Sequence, residues 1–463
     1  MKSVCFVASF ALSCLAGTLT AAEPLQIGSR LELFVDDYLI DKLDGDATLQ
    51  LHQPKPQEVV LVTDKPWEGN TSAYYTIFRD GDLYRAYYRG SHFDEKTKKA
   101  AHPEVVCYAE SKDGVHWIKP ELGLCEFNGS KQNNIVWNKI GTHCFAAFKD
   151  KNPNCSADAR YKAIARGRPT GKKGLYVFKS PDGLHWTPIE EEPVITNGYF
   201  DSQNLAFWDS HAKTYREYHR TFVDGVRAIM TGTSSDYVNW TEPVLLNYGD
   251  VPNQHLYTNA VQQYDRAPHI LLGFPTRYLP KEGQRVEPTL MASHDGVNFK
   301  RWLDPVIPED APEDRGGNRS NYMTWGLVQL PGNDKEYSVY ATEAYYTGPD
   351  SRVRRFTYRV DGFVSLRGTE QGGSLVTKPL VFDGNELMIN FATKDAGSVR
   401  VELQSIEGKP LEGFALADCK PLRGDSIKQA VAWSDGKLSG LAGKTIRVLF
   451  EVKAADVYSF QFE

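Results

Sequence analysis

The chain has 463 residues, a formal net charge of −6, and 41% hydrophobic and 24% charged residues. That much apolar sequence supports a large packed core and excludes a mostly disordered chain. The mild acidity excludes a general nucleic-acid binder, because such a surface repels phosphates. Aromatics make up 12%, beside 38 Gly and 25 Pro, a bias toward many short strands and turns over helical bundles.

Residues 1–22 read as a secretory signal. Lys2 is a minimal charged start, Val4 to Leu19 form a short apolar stretch, and Thr20-Ala21-Ala22 offers small residues for cleavage before Glu23. Cleavage removes one lysine and no acid, which takes the charge from −6 to −7. The expected location is secreted or periplasmic, with no membrane attachment after cleavage, since no later segment is apolar long enough to span a bilayer. Five cysteines then remain: Cys107, Cys125, Cys144, Cys155 and Cys419. Their spacing matches neither a zinc site nor a disulfide scaffold. Two readings stand, one local bridge (Cys107–Cys125 or Cys144–Cys155) or buried thiols serving as small apolar residues. Residues 23–60 contain Leu31-Glu-Leu-Phe-Val-Asp-Asp-Tyr-Leu-Ile40, a strand expected to pack on the next domain and close or cover its edge.

From there an internal repeat organises the chain. Ser111-Lys-Asp-Gly-Val-His-Trp117 recurs as Ser180-Pro-Asp-Gly-Leu-His-Trp186, Ser234-Ser-Asp-Tyr-Val-Asn-Trp240 and Ser293-His-Asp-Gly-Val-Asn-Phe299. A degraded fifth copy is Arg359-Val-Asp-Gly-Phe-Val-Ser365, and the shared aspartates are 69, 54, 59 and 66 residues apart. Asp-Gly makes a tight turn, Ser and Asp satisfy turn backbone groups, and the aromatic packs on a neighbouring sheet. Each copy is a structural staple. Upstream lie paired strands, as in Tyr74-Tyr-Thr-Ile-Phe78 and Leu83-Tyr-Arg-Ala-Tyr-Tyr88. Four strands in about 60 residues, repeated, form a propeller blade. The reading is all-β: a five-bladed β-propeller over residues 61–371, then a C-terminal β-sandwich over residues 372–463. The glycine-rich Gln371-Gly-Gly-Ser374 marks the boundary, and alternating runs such as Ser398-Val-Arg-Val-Glu-Leu403 follow it.

Staples of this type, a signal and a C-terminal sandwich together resemble the furanosidase-type glycoside hydrolases, the invertase/levanase-like and arabinanase/xylosidase-like superfamily. The resemblance implies three carboxylates at the axial mouth, acting as nucleophile or base, stabiliser and acid. Trp67-Glu-Gly-Asn70 looks like the first-blade entry, but the family's Trp-Met-Asn-Asp-Pro is absent: Asn70 stands at the aspartate position and Glu68 is displaced by two. The Arg-Asp-Pro and Glu-Cys signatures are also missing.

Strand direction gives an independent route to the mouth. First-strand starts and second-strand ends share one rim. The starts supply Glu68, Asn70, His143, Asp201, Asn204, His255, Asn259 and Arg319. The ends supply Arg89, Arg166, Arg220, Arg277 and Glu343. Arginine presents a planar fork for anions, so this set demands carboxylates of the protein or of an acidic or sulfated sugar. Two carboxylates across an opening are the minimum for glycoside hydrolysis. The expected assignment is Glu343 as proton donor, Asp201 as ionised base or stabiliser and Glu68 as the third carboxylate, with Trp67 and Tyr257 stacking on sugar faces. The expected function is a glycoside hydrolase acting on a carbohydrate chain end. The competing readings are a non-catalytic carbohydrate-binding propeller and a sialidase-like or lyase-like propeller. No metal motif is visible, no cofactor is expected, and oligomeric state is left open.

Overall fold

The computed structural model describes residues 23–167, 172–307 and 321–463. The proposed signal (residues 1–22) and Arg319 lie outside the described residues. The chain is an all-β propeller followed by a β-sandwich domain. Among the described residues the only helical turns are two short 3-10 segments, Ala157–Ala159 and Leu438–Gly440.

Five antiparallel sheets succeed one another, each with a four-strand path. Their inner strands are Ala73–Asp80, Ala146–Lys149, Leu205–Asp209, Gln262–Tyr264 and Tyr322–Met323. The far ends of the first four and the segment that follows the fifth line one axial cavity of about 470 Å³, walled by Phe78, Phe148, Phe207, Trp208 and Trp325. The staples explain why the sheets stand side by side. Ser111 Oγ accepts from the Gly114 amide at 2.9 Å, and Asp113 Oδ1 accepts from the amides of Val115 and His116 at 2.9 and 2.8 Å. Gly114 turns at φ +74°, where a side chain is disfavoured. Each turn then reaches the preceding sheet. Tyr87 Oη donates to Gly183 O at 2.8 Å and Tyr218 Oη to Gly296 O at 3.0 Å. Tyr340 Oη, from the last sheet, donates to Gly114 O in the first at 2.8 Å. In the fifth copy the buried Asp361 carries the link itself, accepting from Tyr264 Oη at 2.6 Å and from Ser459 Oγ of the C-terminal domain at 2.7 Å.

The N-terminal segment differs from expectation. The strand that completes the fifth sheet is Lys55–Val62, paired with Arg352–Arg359 from Val62 opposite Arg352 to Lys55 opposite Thr357. Residues 25–51 instead join the C-terminal sheet. Glu32–Leu33 pairs with Ser459 and Phe460, and Ile40–Gly45 pairs with Gly373–Thr377. Alternation explains the double allegiance. Leu31, Leu33 and Val35 enter the propeller core, while Phe34 and Leu39 enter the core of the C-terminal domain.

The boundary after the propeller also differs. Val364–Gly368 already pairs with the C-terminal strand Thr445–Phe462 and with Thr48–Leu51, so the C-terminal domain begins ahead of residue 371. Gly372 closes a turn inside that domain, its amide donating to Thr369 O at 3.1 Å, and Gly373 opens the next strand. A side chain on Gly373 would meet the Ala47 amide nitrogen at 2.3 Å. Two 18-residue strands, Leu387–Gln404 and Thr445–Phe462, form its spine. A register shift between Thr393 and Ser398 lets Leu387, Ile389 and Phe391 share one core with Val399, Val401 and Leu403. All five cysteines are free, with Cys107, Cys144 and Cys419 buried, in agreement with the thiol reading.

Candidate active site at the axial mouth

The starts of the inner strands converge on the face opposite the 470 Å³ cavity. In the first sheet the strand begins with Tyr74 at φ +59°, a conformation a bulky residue adopts only when its surroundings enforce it. The register is broken between Ala73 and Thr76 at this point. The turn sets the Tyr74 ring 4.7 Å beneath the Arg89 guanidinium and 5.7 Å from the His143 ring.

His143 is the centre of the site. Its Nδ1 lies 2.9 Å from Glu104 Oε1 and its Nε2 lies 3.0 Å from Asp201 Oδ1. Arg166 also donates to Asp201 Oδ1, and Arg220 Nη2 stands 3.8 Å from Asp201 Oδ2. Arg89 lies 3.4 Å from Glu104 and donates to Tyr345 Oη at 2.9 Å and Thr71 O at 2.7 Å. Tyr257, Tyr322 and Tyr345 continue the wall, with neighbouring ring centroids 5.5 and 5.4 Å apart. Beside them opens a cleft of about 380 Å³, lined by Arg166, Lys173, Tyr199, Asp201, Arg220, Phe222 and Arg227 among others. Asp201 is the most open member, with 56% of its side chain exposed.

The charges are coupled. The hydrogen bond from His143 holds the Asp201 carboxyl well below the usual range against partial burial, aided by the charges of His143, Arg166 and Arg220. Burial works to raise Glu104, but the His143 hydrogen bond and Arg89 outweigh it and keep that carboxyl low. Burial pushes the other way on His143, and so does Arg89. The Cys144 sulfur and Asp201 prevail and raise it well above its ordinary value. The site therefore holds two ionised carboxylates around one protonated imidazole. The two depressed carboxyls stabilise the fold above the ordinary carboxylate range and lose that contribution as pH falls through their lowered values. The raised His143 contributes fully below about pH 6.5 and loses it as pH rises through its raised value. In an NMR titration the His143 ring is expected to titrate above its ordinary value of about 6.5, and Asp201→Asn to lower that midpoint. A wild-type midpoint at or below 6.5 contradicts this electrostatic arrangement.

Of the sequence candidates, Asp201, His143, Arg89, Arg166, Arg220 and Tyr257 meet here. His255 stands at the edge, its Nδ1 3.2 Å from the Arg227 amide and its ring 5.8 Å from Tyr278. The others are placed elsewhere. Glu343 is 1% exposed and clamped by Arg352 Nε at 2.7 Å and Arg354 Nε at 2.6 Å, sharing no partner with Asp201. Glu68 is buried against Tyr88 Oη and Lys119 Nζ, both at 2.6 Å. Trp67 donates to Asn134 inside the first sheet. Arg277 turns to Glu287 at 2.7 Å and Leu303 O at 2.7 Å, whereas its neighbour Tyr278 turns toward Tyr257. Asn70, Asn204 and Asn259 tie backbone, to Phe93, to Phe200 and Ser202, and to Tyr218. Glu104, Arg227, Tyr74 and Tyr345 were not singled out from sequence. Glu104 and Arg227 open third strands, which run parallel to the first and so start at the same rim, and that direction was the available signal.

No family model matches the chain. Two uncharacterized proteins of Mycobacterium tuberculosis, from strains H37Rv and CDC 1551, are each 28% identical over 123 residues, or 27% of this chain. The match spans 36% of the length of those curated relatives. Among solved structures, a thermostable family-43 glycoside hydrolase is similar at 14% identity and TM-score 0.43, over 65% of this chain and 95% of that one. The catalytic domain of a Coprinopsis cinerea GH62 α-L-arabinofuranosidase is similar at 10% identity and TM-score 0.44, over 67% and 98%. A Bombyx mori GH32 β-fructofuranosidase is similar at 10% identity and TM-score 0.42, over 89% and 94%.

Proposed function

We propose that the protein is a secreted glycoside hydrolase that takes the end of a poly- or oligosaccharide into the axial mouth, with an acidic or sulfated sugar as its substrate. The observation that supports this reading best is the pair of carboxylates, Glu104 and Asp201, on opposite nitrogens of one protonated imidazole. Hydrolysis needs one group to give a proton to the leaving oxygen and another to assist attack or stabilise the developing cation. Both carboxyls are held ionised, so the transferable proton sits on His143. In this mechanism His143 Nε2 protonates the glycosidic oxygen that enters between it and Asp201. Asp201 acts as base or stabiliser, and Glu104 fixes the ring and offsets its charge.

A screen of plant and algal polysaccharides, with products separated by chromatography, tests this. Release of short sugars from chain ends supports it. Glycan binding without any product overturns it in favour of a non-catalytic carbohydrate-binding propeller. The arginines around one carboxylate also suit a lyase-like β-elimination from a uronate. Those products carry an ultraviolet-absorbing double bond, so the same screen separates the two reactions.

A further inference from the structure

We infer that Arg220 and Arg227, backed by Lys173, form a receptor for a single anionic group on the terminal sugar, a carboxylate or a sulfate ester. This rests on the hydrolase reading and names the part of the substrate that the cleft recognises.

Charge is the first ground. The cleft is lined by four cations, Arg166, Lys173, Arg220 and Arg227, and by one acid, Asp201. Arg166 donates directly to Asp201, which leaves Arg220 at the longer 3.8 Å. Among the described residues neither Arg227 nor Lys173 has a carboxylate within salt-bridge distance. Arg227 contacts His255 Nδ1 at 3.4 Å, and Lys173 lies over the Tyr199 ring at 4.3 Å. Arg277, by contrast, has its own carboxylate partner in Glu287, so a guanidinium without a matching carboxylate is not common to every rim arginine.

Unmet hydrogen-bonding capacity is the second ground. Arg220 is 5% exposed, and its Nη1 has no partner. Arg227 Nε is likewise buried and unpartnered. Donors on charged groups are normally paired when buried, so these atoms mark a demand that the chain itself leaves open. Aromatic walls are the third ground. The Arg220 guanidinium lies 5.3 Å from Phe222 and 5.2 Å from Tyr257. That of Arg227 lies 5.4, 5.0 and 4.7 Å from Phe222, Tyr257 and Tyr278. Rings hold the planar forks in place ahead of binding, which suits a planar or tetrahedral oxyanion.

The test is calorimetric titration of the full-length protein with D-glucuronate, D-galacturonate, glucose 6-sulfate, the neutral parents glucose and galactose, and inorganic phosphate. At least one acidic sugar is expected to bind tenfold or more tightly than its neutral parent, with the preference shrinking as salt is raised. Arg227→Gln should remove at least tenfold of that preference and leave neutral-sugar affinity within twofold, and Arg227→Lys should restore part of it. The order of uronates and sulfate ester identifies which anion is preferred. Equal affinity for acidic and neutral sugars, no measurable binding of any acidic sugar, or a preference untouched by Arg227→Gln overturns the inference. Phosphate binding without any preference among the sugars does so too. The two readings fail separately: turnover of neutral glycans with no acid preference removes the receptor alone, and acid preference without turnover removes the hydrolase alone.

Discussion

Asp201→Asn and Glu104→Gln are each expected to lower turnover of a competent glycan by about 10²–10⁴-fold, the usual worth of positioned proton transfer, which Asp201 shares in directly and Glu104 supports by holding the His143 imidazolium. The two substitutions act differently. Asp201 is half exposed and keeps its shape as asparagine, so the loss should fall on kcat, accompanied by the loss of the stability that its lowered carboxyl contributes near neutral pH. The amide oxygen still accepts from His143 Nε2 but the negative charge beside it is gone, so the basic limb of the pH–rate profile should move to lower pH. Glu104 touches the other nitrogen and Arg89. Its amide still accepts a hydrogen bond but no longer balances the imidazolium, so the same limb should move in the same direction. Circular dichroism and thermal melting establish that the variants are folded. Rates within twofold of wild type for either variant would take that residue out of the mechanism.

The staples were legible from sequence because their chemistry is local: Ser, Asp, Gly and the aromatic satisfy one another within seven residues, whatever the rest of the chain does. The strand Lys55–Val62 was not, because it pairs with residues nearly three hundred positions away and its own alternation does not name a partner. The Leu31–Ile40 stretch is apolar on both faces, which marks burial without saying that two different cores share it. At the site, strand direction was enough to gather His143, Asp201, Arg89, Arg166 and Arg220 from three successive sheets. It failed where one residue decides the face. Side chains alternate along a strand, so Arg277 and Tyr278 reach different surroundings from adjacent positions, while past the strand end at Glu343 the turn at Ala344 sends Tyr345 elsewhere. Ala344 has φ +59°, a backbone reversal that composition does not announce. Glu104 is different: it sits at the start of a third strand, and first-strand starts and second-strand ends do not include it, although third strands open at the same rim.

Glu343→Gln is expected to leave the chemistry of the mouth intact and to cost stability instead, the reverse of what its rim position suggests. The carboxylate is fully buried and accepts from Arg352 and Arg354 on the neighbouring strand, and Arg354 also donates to Gln57 O on the closing strand. One acid therefore fastens three strands of the fifth sheet, including the one supplied by the N-terminal segment. Neutralising it leaves two guanidiniums facing an amide. Breaking a buried pair by removing one partner costs about 3–5 kcal/mol, and the low end, about 3 kcal/mol, applies because Arg352 is 37% exposed and water can screen it. Urea unfolding should show the loss as a lower midpoint with an unchanged slope if the propeller still unfolds as one unit. Arg354→Met offers the complementary change, since it removes a cation yet leaves Glu343 one partner, and it should cost less. A Glu343→Gln protein with wild-type stability and no turnover would restore the catalytic assignment of this residue, whereas full turnover in a less stable protein assigns it to the closure of the ring.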